Sequence, residues 1–206
     1  MKKLFLCAAF AAFAFTNVNA QEVKFGAKAG LNLATIGGDF EDAESLTSFH
    51  IGGVAEIMIS DKFSVQPELL YNSVGASTDY TESFEGVTVN AEGKIKLNYI
   101  SLPIMAKYYV AEGFSVEAGP QIGFLMSANE EYEVSGGGFS ESGDEDVKDN
   151  FKSIDFGFGI GAGYKMESGL NFALRYNLGL SNIAEDAGDD FSAQNNVFQV
   201  SVGYTF

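Results

Sequence analysis

Alternation of apolar and small polar residues recurs along this chain and is the feature that most limits its fold. It is clearest at the C-terminus, where every second residue of 198–206 is apolar or aromatic and the last is Phe206. A period of two is typical of a β-strand with one apolar face. Because chain ends normally fray and are polar, this ending indicates a strand held inside a sheet.

Eight segments alternate in this way, and they are rich in glycine and aromatic residues. They are 23–35, 48–60, 63–77, 94–110, 114–128, 153–166, 170–181 and 198–206. Each has about 10 residues or more, enough to cross the apolar band of a bilayer when the strand is tilted by about 45°.

The connections between these segments alternate in length. Tight turns are expected at 61–62, 111–113 and 167–169, and long polar loops at 36–47, 78–92, 129–151 and 182–195. Short turns at one end and long loops at the other are typical of an outer-membrane barrel, with the turns periplasmic and the loops extracellular. We therefore predict an all-β fold: an eight-stranded antiparallel transmembrane β-barrel of the small OmpA/OmpX type, in meander order, with both termini periplasmic.

The composition of the two strand faces favours a membrane barrel over a soluble one. A lipocalin-like barrel has apolar residues inside and a charged exterior. Here the polar face is rich in Gly, Ser and Asn and poor in charge, and the apolar face carries aromatic residues near strand ends, as in the girdles of membrane barrels. These aromatic residues are Phe25, Phe63, Tyr71, Tyr108, Phe114, Tyr164, Phe172, Tyr204 and Phe206.

The N-terminus has the pattern of a secretory signal peptide. Two lysines precede an apolar run from Leu4 to Phe15, and the small residue Ala20 ends the segment. The run is shorter than the about 20 residues of a membrane-spanning helix. We predict cleavage after Ala20, which leaves residues 21–206 as a single barrel domain. The one cysteine, Cys7, lies in the removed segment, so the mature chain has no disulfide and no thiol chemistry.

Most acidic residues of this chain, whose net charge is −16, lie in the four predicted long loops. Such a surface disfavours DNA and RNA, which bind basic patches. The loops are either solvated and without a ligand, or they bridge divalent cations to lipopolysaccharide or bind a surface partner. The acidic run 143–150 lacks the Gly and Glu positions of an EF-hand loop, so we predict no metal site.

The predicted lumen face carries equal numbers of opposite charges. The positive residues are Lys24, Lys28, Lys107 and Arg175, and the negative ones are Glu56, Glu68, Glu117 and Asp155. A barrel of this size has room only for its own side chains, and unpaired charges there are costly, so we expect these residues to pair. Two interpretations remain: a salt-bridged plug with a structural role, or a gate whose rearrangement admits small ions.

Catalysis has little support in the sequence. His50 is the only histidine, it is expected near the outer end of a strand, and no motif places a nucleophile or carboxylate beside it. Gly136, Gly137 and Gly138 lie in an acidic segment with no helix after them, so they form no phosphate loop. We predict neither an enzyme nor a cofactor.

Three segments, 24–32, 99–109 and 116–123, together with the terminal strand, resemble small outer-membrane β-barrel proteins of Bacteroidetes, the PorT-like family. The resemblance covers essentially all of 21–206. It implies a Gram-negative outer membrane as the location. The family is named after a component of gliding-associated protein secretion, a role that membership does not carry over. The final aromatics Tyr204 and Phe206 also resemble the signal that the barrel assembly machinery reads in outer-membrane proteins.

The sequence thus predicts a monomer in contact with outer-membrane lipid and lipopolysaccharide. Its expected role is structural or surface-interacting. The alternatives are a narrow pore for ions or small solutes and an accessory component of a protein-secretion machine.

Overall fold

The computed structural model describes residues 22–39, 43–84, 87–136, 138–185 and 191–206. The predicted signal peptide 1–20, with Cys7, lies outside these ranges. In the described part of the chain the elements are β1 (Val23–Gly38), β2 (Glu44–Ser60), β3 (Phe63–Phe84), β4 (Val87–Tyr109), β5 (Phe114–Gly136), β6 (Phe139–Asp146), a 3-10 turn (Lys148–Asn150), β7 (Ile154–Lys165), β8 (Leu170–Gly179) and β9 (Ala193–Thr205). In this described part, no helix is long and apolar enough to span a bilayer.

Eight of these strands close into an antiparallel ring, in the order β1, β2, β3, β4, β5, β7, β8 and β9. The last strand pairs with the first, from Gly26↔Thr205 to Gly38↔Ala193. The backbone N–H of Phe206 also donates to the carbonyl of Phe25, at 2.8 Å. The predicted eight-stranded barrel, closed by the terminal strand, is confirmed, and its closure leaves no free edge in the wall.

Three short connections lie at one end of the barrel, which we call the turn end. They are 61–62, 110–113 and 166–169, each within one residue of the predicted turn. Gly113 and Gly169 have positive φ angles of 72° and 90°, so glycine is required for these turns to reverse the chain. Both the start of β1 and the end of β9 lie at this end. The opposite end is called the hairpin end below.

The prediction of long polar loops at 78–92 and 129–151 is wrong for most of both segments. β3 and β4 stay paired up to Phe84↔Val87, and β5 continues to Gly136 and pairs with β6. The segments contain Thr, Tyr and Val among their acidic residues, and these side chains favour strands once a neighbouring strand is present. Residues 78–84, 87–96, 129–136 and 139–146 form a four-stranded extension beyond the ring, which we call the projecting sheet.

The apolar face of the strands points outward. Phe25, Leu31, Ile51 and Ile160 are between 54% and 62% exposed, although each is a large apolar side chain. Of the predicted girdle residues, those at strand ends surround the turn end, whereas Tyr71 lies in the middle of β3 beside Phe49. This arrangement is the reverse of a soluble barrel and suits a wall in contact with lipid.

Alanine substitutions at two adjacent glycines of β2, Gly52 and Gly53, test how closely the wall is packed. A Cβ at Gly52 would lie 2.0 Å from the backbone oxygen of Leu69, whereas one at Gly53 meets its nearest atom at 3.9 Å. We expect Gly52→Ala to destabilise the barrel by about 1–3 kcal/mol, as overpacking does. Gly53→Ala is the matched control and is expected to be neutral. The urea midpoint of refolded protein in detergent measures both, and equal midpoints for the two variants would contradict the packing described.

Candidate functional site in the barrel lumen

The lumen contains three successive layers of side chains. Starting from the turn end, they are a charged layer, a layer of amides with His50, and an apolar layer. The inward positions recur at every second residue of each strand, so the character of each layer depends on a few positions per strand.

Arg175 is the centre of the charged layer and is 1% exposed. Its guanidinium makes two parallel hydrogen bonds with Glu68, of 2.9 Å from Nη1 and 2.7 Å from Nη2, while Nε donates to Glu117 at 2.7 Å. Lys28 Nζ approaches Glu68 at 3.3 Å. The two-point contact between a guanidinium and a carboxylate is the strongest and most directional ion pair available to side chains.

A second group of charges surrounds Glu56, which is 2% exposed. Lys165 Nζ donates to its carboxylate at 2.9 Å and Ser64 Oγ at 2.9 Å, and the Tyr109 hydroxyl donates to it as well. Lys107 Nζ lies 3.3 Å from the same carboxylate. With four donor groups around it, this buried charge is compensated by both opposite charge and hydrogen bonds.

Gln66 joins the two groups into one network. Its Nε2 donates to Glu68 at 2.7 Å, and its Oε1 accepts from Lys107 at 3.1 Å. The charged layer therefore contains four cations and three carboxylates. Its members are Lys28, Glu56, Gln66, Glu68, Lys107, Glu117, Lys165 and Arg175.

Six of the eight predicted lumen charges lie in this layer, and Lys24 and Asp155 do not. Lys24 is the first inward position of β1, so it reaches the mouth at the turn end and pairs with Glu22 at 3.2 Å. Asp155 pairs in register with Gly123, nearer the hairpin end, and its carboxylate accepts from Ser181 and Asn195. The prediction that these two residues belong to the charge network is wrong.

Sequence reasoning missed Lys165 and Gln66 as members of the layer. Lys165 continues the inward positions of β7 at a spacing of two, after Gly161 and Gly163, so extending the alternation to the end of that strand would have found it. Gln66 is itself uncharged, so counting charges on the inward face does not detect its hydrogen bonds to Glu68 and Lys107.

The inward face of β7 has no side chains where Arg175 lies, because the positions there are glycines. A Cβ at Gly159 would approach the Arg175 side chain at 3.2 Å, and one at Gly161 would lie 2.4 Å from the backbone oxygen of Leu174. The repeated glycines of β7 therefore make room for the largest lumen side chain.

The sequence had suggested that His50 lies near the outer end of a strand. In the structure it lies in the second layer instead. β2 begins at Glu44, earlier than predicted, so His50 is well inside the strand and is 0% exposed. Its Nδ1 contacts Asn32 Oδ1 at 2.8 Å and its Nε2 contacts Ser201 Oγ at 2.9 Å. Asn72, Asn177 and Gln199 complete this layer through further amide hydrogen bonds.

The contacts Ser201–His50–Asn32 have the order of a nucleophile, a base and an orienting group. All three side chains are at most 5% exposed and lie between the charged and apolar layers. A substrate cannot reach a nucleophile enclosed in this way, so the arrangement serves to satisfy buried polar groups.

The third layer is apolar and closes the lumen at the hairpin end. Its members are Ala34, Ile36, Val74, Ala76, Leu97, Tyr99, Leu125, Ala128, Val147, Ile183, Ala193 and Val197. Val147 and Ile183 come from connections between strands, and backbone hydrogen bonds attach them to the wall, from Val147 N to Ala128 O at 3.0 Å and from Ile183 N to Ala193 O at 2.8 Å. Sequence reasoning missed Val147 and Ile183, because each lies in a mostly polar segment between strands.

Tyr204 and Phe206 lie at the turn end on the outer face. Their rings meet edge to face with centroids 5.5 Å apart, and Phe206 is 79% exposed. The terminal ring therefore lies on the surface of the barrel wall, beside the mouth of the lumen.

Comparison with known proteins agrees with this architecture. A family model described as outer membrane protein beta-barrel domain matches residues 19–185. Neisserial surface protein A (NspA) is 13% identical with a TM-score of 0.50, over 91% of this chain and 100% of that chain. At this identity the likeness shows the fold alone.

Two further structures align at lower TM-scores. Ail, the attachment invasion locus protein of Yersinia pestis, is 14% identical with a TM-score of 0.47, over 90% of this chain and 99% of that chain. OprG of Pseudomonas aeruginosa is 13% identical with a TM-score of 0.40, over 90% of this chain and 95% of that chain. No curated protein matches the sequence.

Removal of Arg175 tests the charged layer. Arg175→Ala leaves Glu68 and Glu117 buried without their main partner, and we expect a loss of about 3–5 kcal/mol in the free energy of unfolding. Lys96→Ala is the control, because Lys96 pairs with Glu131 at 2.6 Å while both side chains are about 40% exposed. Its loss is expected to stay below about 1 kcal/mol. Urea unfolding in detergent measures both, and a stable Arg175→Ala barrel would refute the importance of the layer.

Proposed function

Because the chain belongs to the outer membrane protein beta-barrel family and is an outer-membrane β-barrel, we propose that its lumen is closed and that it acts through its surface. The role is structural or surface-interacting, without catalysis, and the projecting sheet is the contact surface. The single observation that carries this proposal is the stack of three side-chain layers across the lumen.

The layers support a closed lumen for a physical reason. The charged layer is held by hydrogen-bonded ion pairs, which are strongly destabilised when one partner is removed, so opening a path through it is costly. Cavities in the lumen beside the layers have volumes of about 30 Å³ and about 20 Å³. Such spaces suit one or two water molecules and do not form a channel.

The orientation follows the rule for outer-membrane barrels. Short turns face the periplasm and long connections face outward, so we assign the turn end to the periplasm. Both termini then lie in the periplasm, and the projecting sheet extends from the cell. Phe206 and Tyr204 lie where the barrel assembly machinery would meet them, in line with a role as an assembly signal.

The projecting sheet has the chemistry of a contact surface for cationic groups. An open cleft of about 440 Å³ is lined by Glu92, Glu131, Glu133 and Asp144, with Lys94 and Tyr132 beside them. β6 pairs only with β5 in the described part of the chain, so its outer edge carries backbone groups without a strand partner. A basic protein surface, or lipopolysaccharide bridged by divalent cations, complements this charge.

Electrical recording tests the closed lumen. We expect purified protein in planar bilayers to give no steady single-channel conductance, because no layer leaves a continuous water path. A porin inserted in the same bilayers controls for insertion and detection. Steady, reproducible conductance from the purified barrel would favour the narrow pore for ions or small solutes instead.

Charge removal at the two ends tests the contact surface. The variant Glu133→Gln, Glu141→Gln and Asp144→Asn removes three charges from the projecting sheet. The control, Asp61→Asn, Glu112→Gln and Glu167→Gln, removes the same charge from the turn end. We expect the first variant, and not the control, to lose partners in pull-downs from intact outer membranes.

Equal retention of partners by both variants would contradict a role for the projecting sheet. Co-purification of secretion components, unaffected by either variant, would favour the alternative of an accessory component of a protein-secretion machine.

A further inference from the structure

A small polar cavity lies in the lumen near Asp155, on the hairpin-end side of the charged layer, with a volume of about 20 Å³. In the described part of the chain, three buried side-chain atoms have no hydrogen-bond partner: Ser101 Oγ, Asn177 Oδ1 and Asn195 Oδ1. All three residues line this one cavity, and they are 1%, 4% and 5% exposed. Buried polar atoms are nearly always satisfied, so three exceptions around one cavity indicate a missing ligand.

The orientation of both amides is fixed by their neighbours. Asn195 Nδ2 donates to the carboxylate of Asp155 at 2.9 Å, and a carboxylate can only accept. Asn177 Nδ2 donates to Gln199 Oε1 at 2.8 Å, while Gln199 Nε2 donates to Asn32 Oδ1 at 3.0 Å. Both free atoms are therefore carbonyl oxygens, which accept a donor or a cation and cannot donate.

Asp155 adds a carboxylate to the same cavity without a cation to balance it. It accepts from Ser181 Oγ at 2.7 Å and from Asn195 Nδ2, and no Lys or Arg of the described ranges forms an ion pair with it. The carboxylates of the charged layer each have at least one Lys or Arg partner. Asp155 is half-buried toward the hairpin end, so water solvates only part of its charge and a positive ligand would stabilise this position.

We propose that this cavity binds one monovalent metal cation of the size of sodium, held by oxygen atoms of Asp155, Asn177, Asn195 and Ser101. Carboxylate, carbonyl and hydroxyl oxygens are ligands of hard cations, and there is no sulfur or imidazole donor here. A single carboxylate balances a single positive charge. The described residues also bring no three His, Cys, Asp or Glu side chains together, as transition-metal sites require.

A buried water molecule is the competing occupant. One water can donate to both amide oxygens and accept from Ser101, which satisfies the three free atoms. A water molecule leaves the negative charge of Asp155 without a counter-ion, whereas a bound cation neutralises it. The two occupants therefore differ in their dependence on Asp155 and on sodium.

Thermal unfolding in detergent at constant ionic strength distinguishes a bound cation from a bound water molecule. Sodium chloride is exchanged stepwise for choline chloride, since choline is too large for the cavity. We expect the apparent melting temperature of the unaltered protein to rise by roughly 5–10 °C as sodium saturates the site, with a hyperbolic dependence on its concentration. Asp155→Asn is expected to abolish the dependence, and Ser101→Ala to shift it to higher sodium concentrations.

Asp149→Asn is the matched control, because Asp149 is an exposed acid close to the hairpin end and it should keep the full sodium dependence. A crystal structure in sodium chloride gives an independent readout that does not rely on any variant folding. Oxygen distances clearly below the about 2.7 Å of a hydrogen bond identify the cation. Equal melting temperatures in sodium and choline, or hydrogen-bond distances around the occupant, would overturn the proposal.

Discussion

The double hydrogen bond between Arg175 and Glu68 is the interaction on which the filled lumen depends. Arg175 belongs to β8 and Glu68 to β3, and their side chains meet across the barrel. This contact therefore joins strands that are not neighbours in the wall. Glu117, Lys28 and Gln66 attach to the same pair, and through Gln66 the network reaches Lys107. The side chains of the charged layer position one another. Removing one of them therefore leaves several charges without a partner.

The lumen changes from charged to apolar along its length, and the environment explains this order. At the turn end the mouth is open, and Lys24 and Lys165 remain partly exposed to water. At the hairpin end, Val147 and Ile183 cover the lumen from the connections, and the strand residues beneath them are apolar. Burial of apolar surface there stabilises these connections against the wall.

Most of the fold could be predicted from the sequence because the period of two determines both faces of every strand. The turns, the ring order and the inward charges follow from that pattern. The depth of a residue does not follow from it. The depth of His50 depends on where β2 begins, and the partners of Asp155 depend on the register between β5 and β7. The strand extensions were missed because acidic residues in 78–92 and 129–146 look like loops until a neighbouring strand is known.

The wall and the projecting sheet are continuous, and this continuity connects the lumen to the surface. β3, β4 and β5 each run from the ring into the sheet without a break in the chain. Between β3 and β4 one register runs from Ser64↔Lys107 in the barrel to Phe84↔Val87 in the sheet, and Lys107 belongs to the charged layer. Between β4 and β5 the register shifts at Asn98 and Tyr99, where the ring meets the sheet. Pairing of β3 with β4 inside the barrel therefore fixes which residues of these two strands face each other in the projecting sheet.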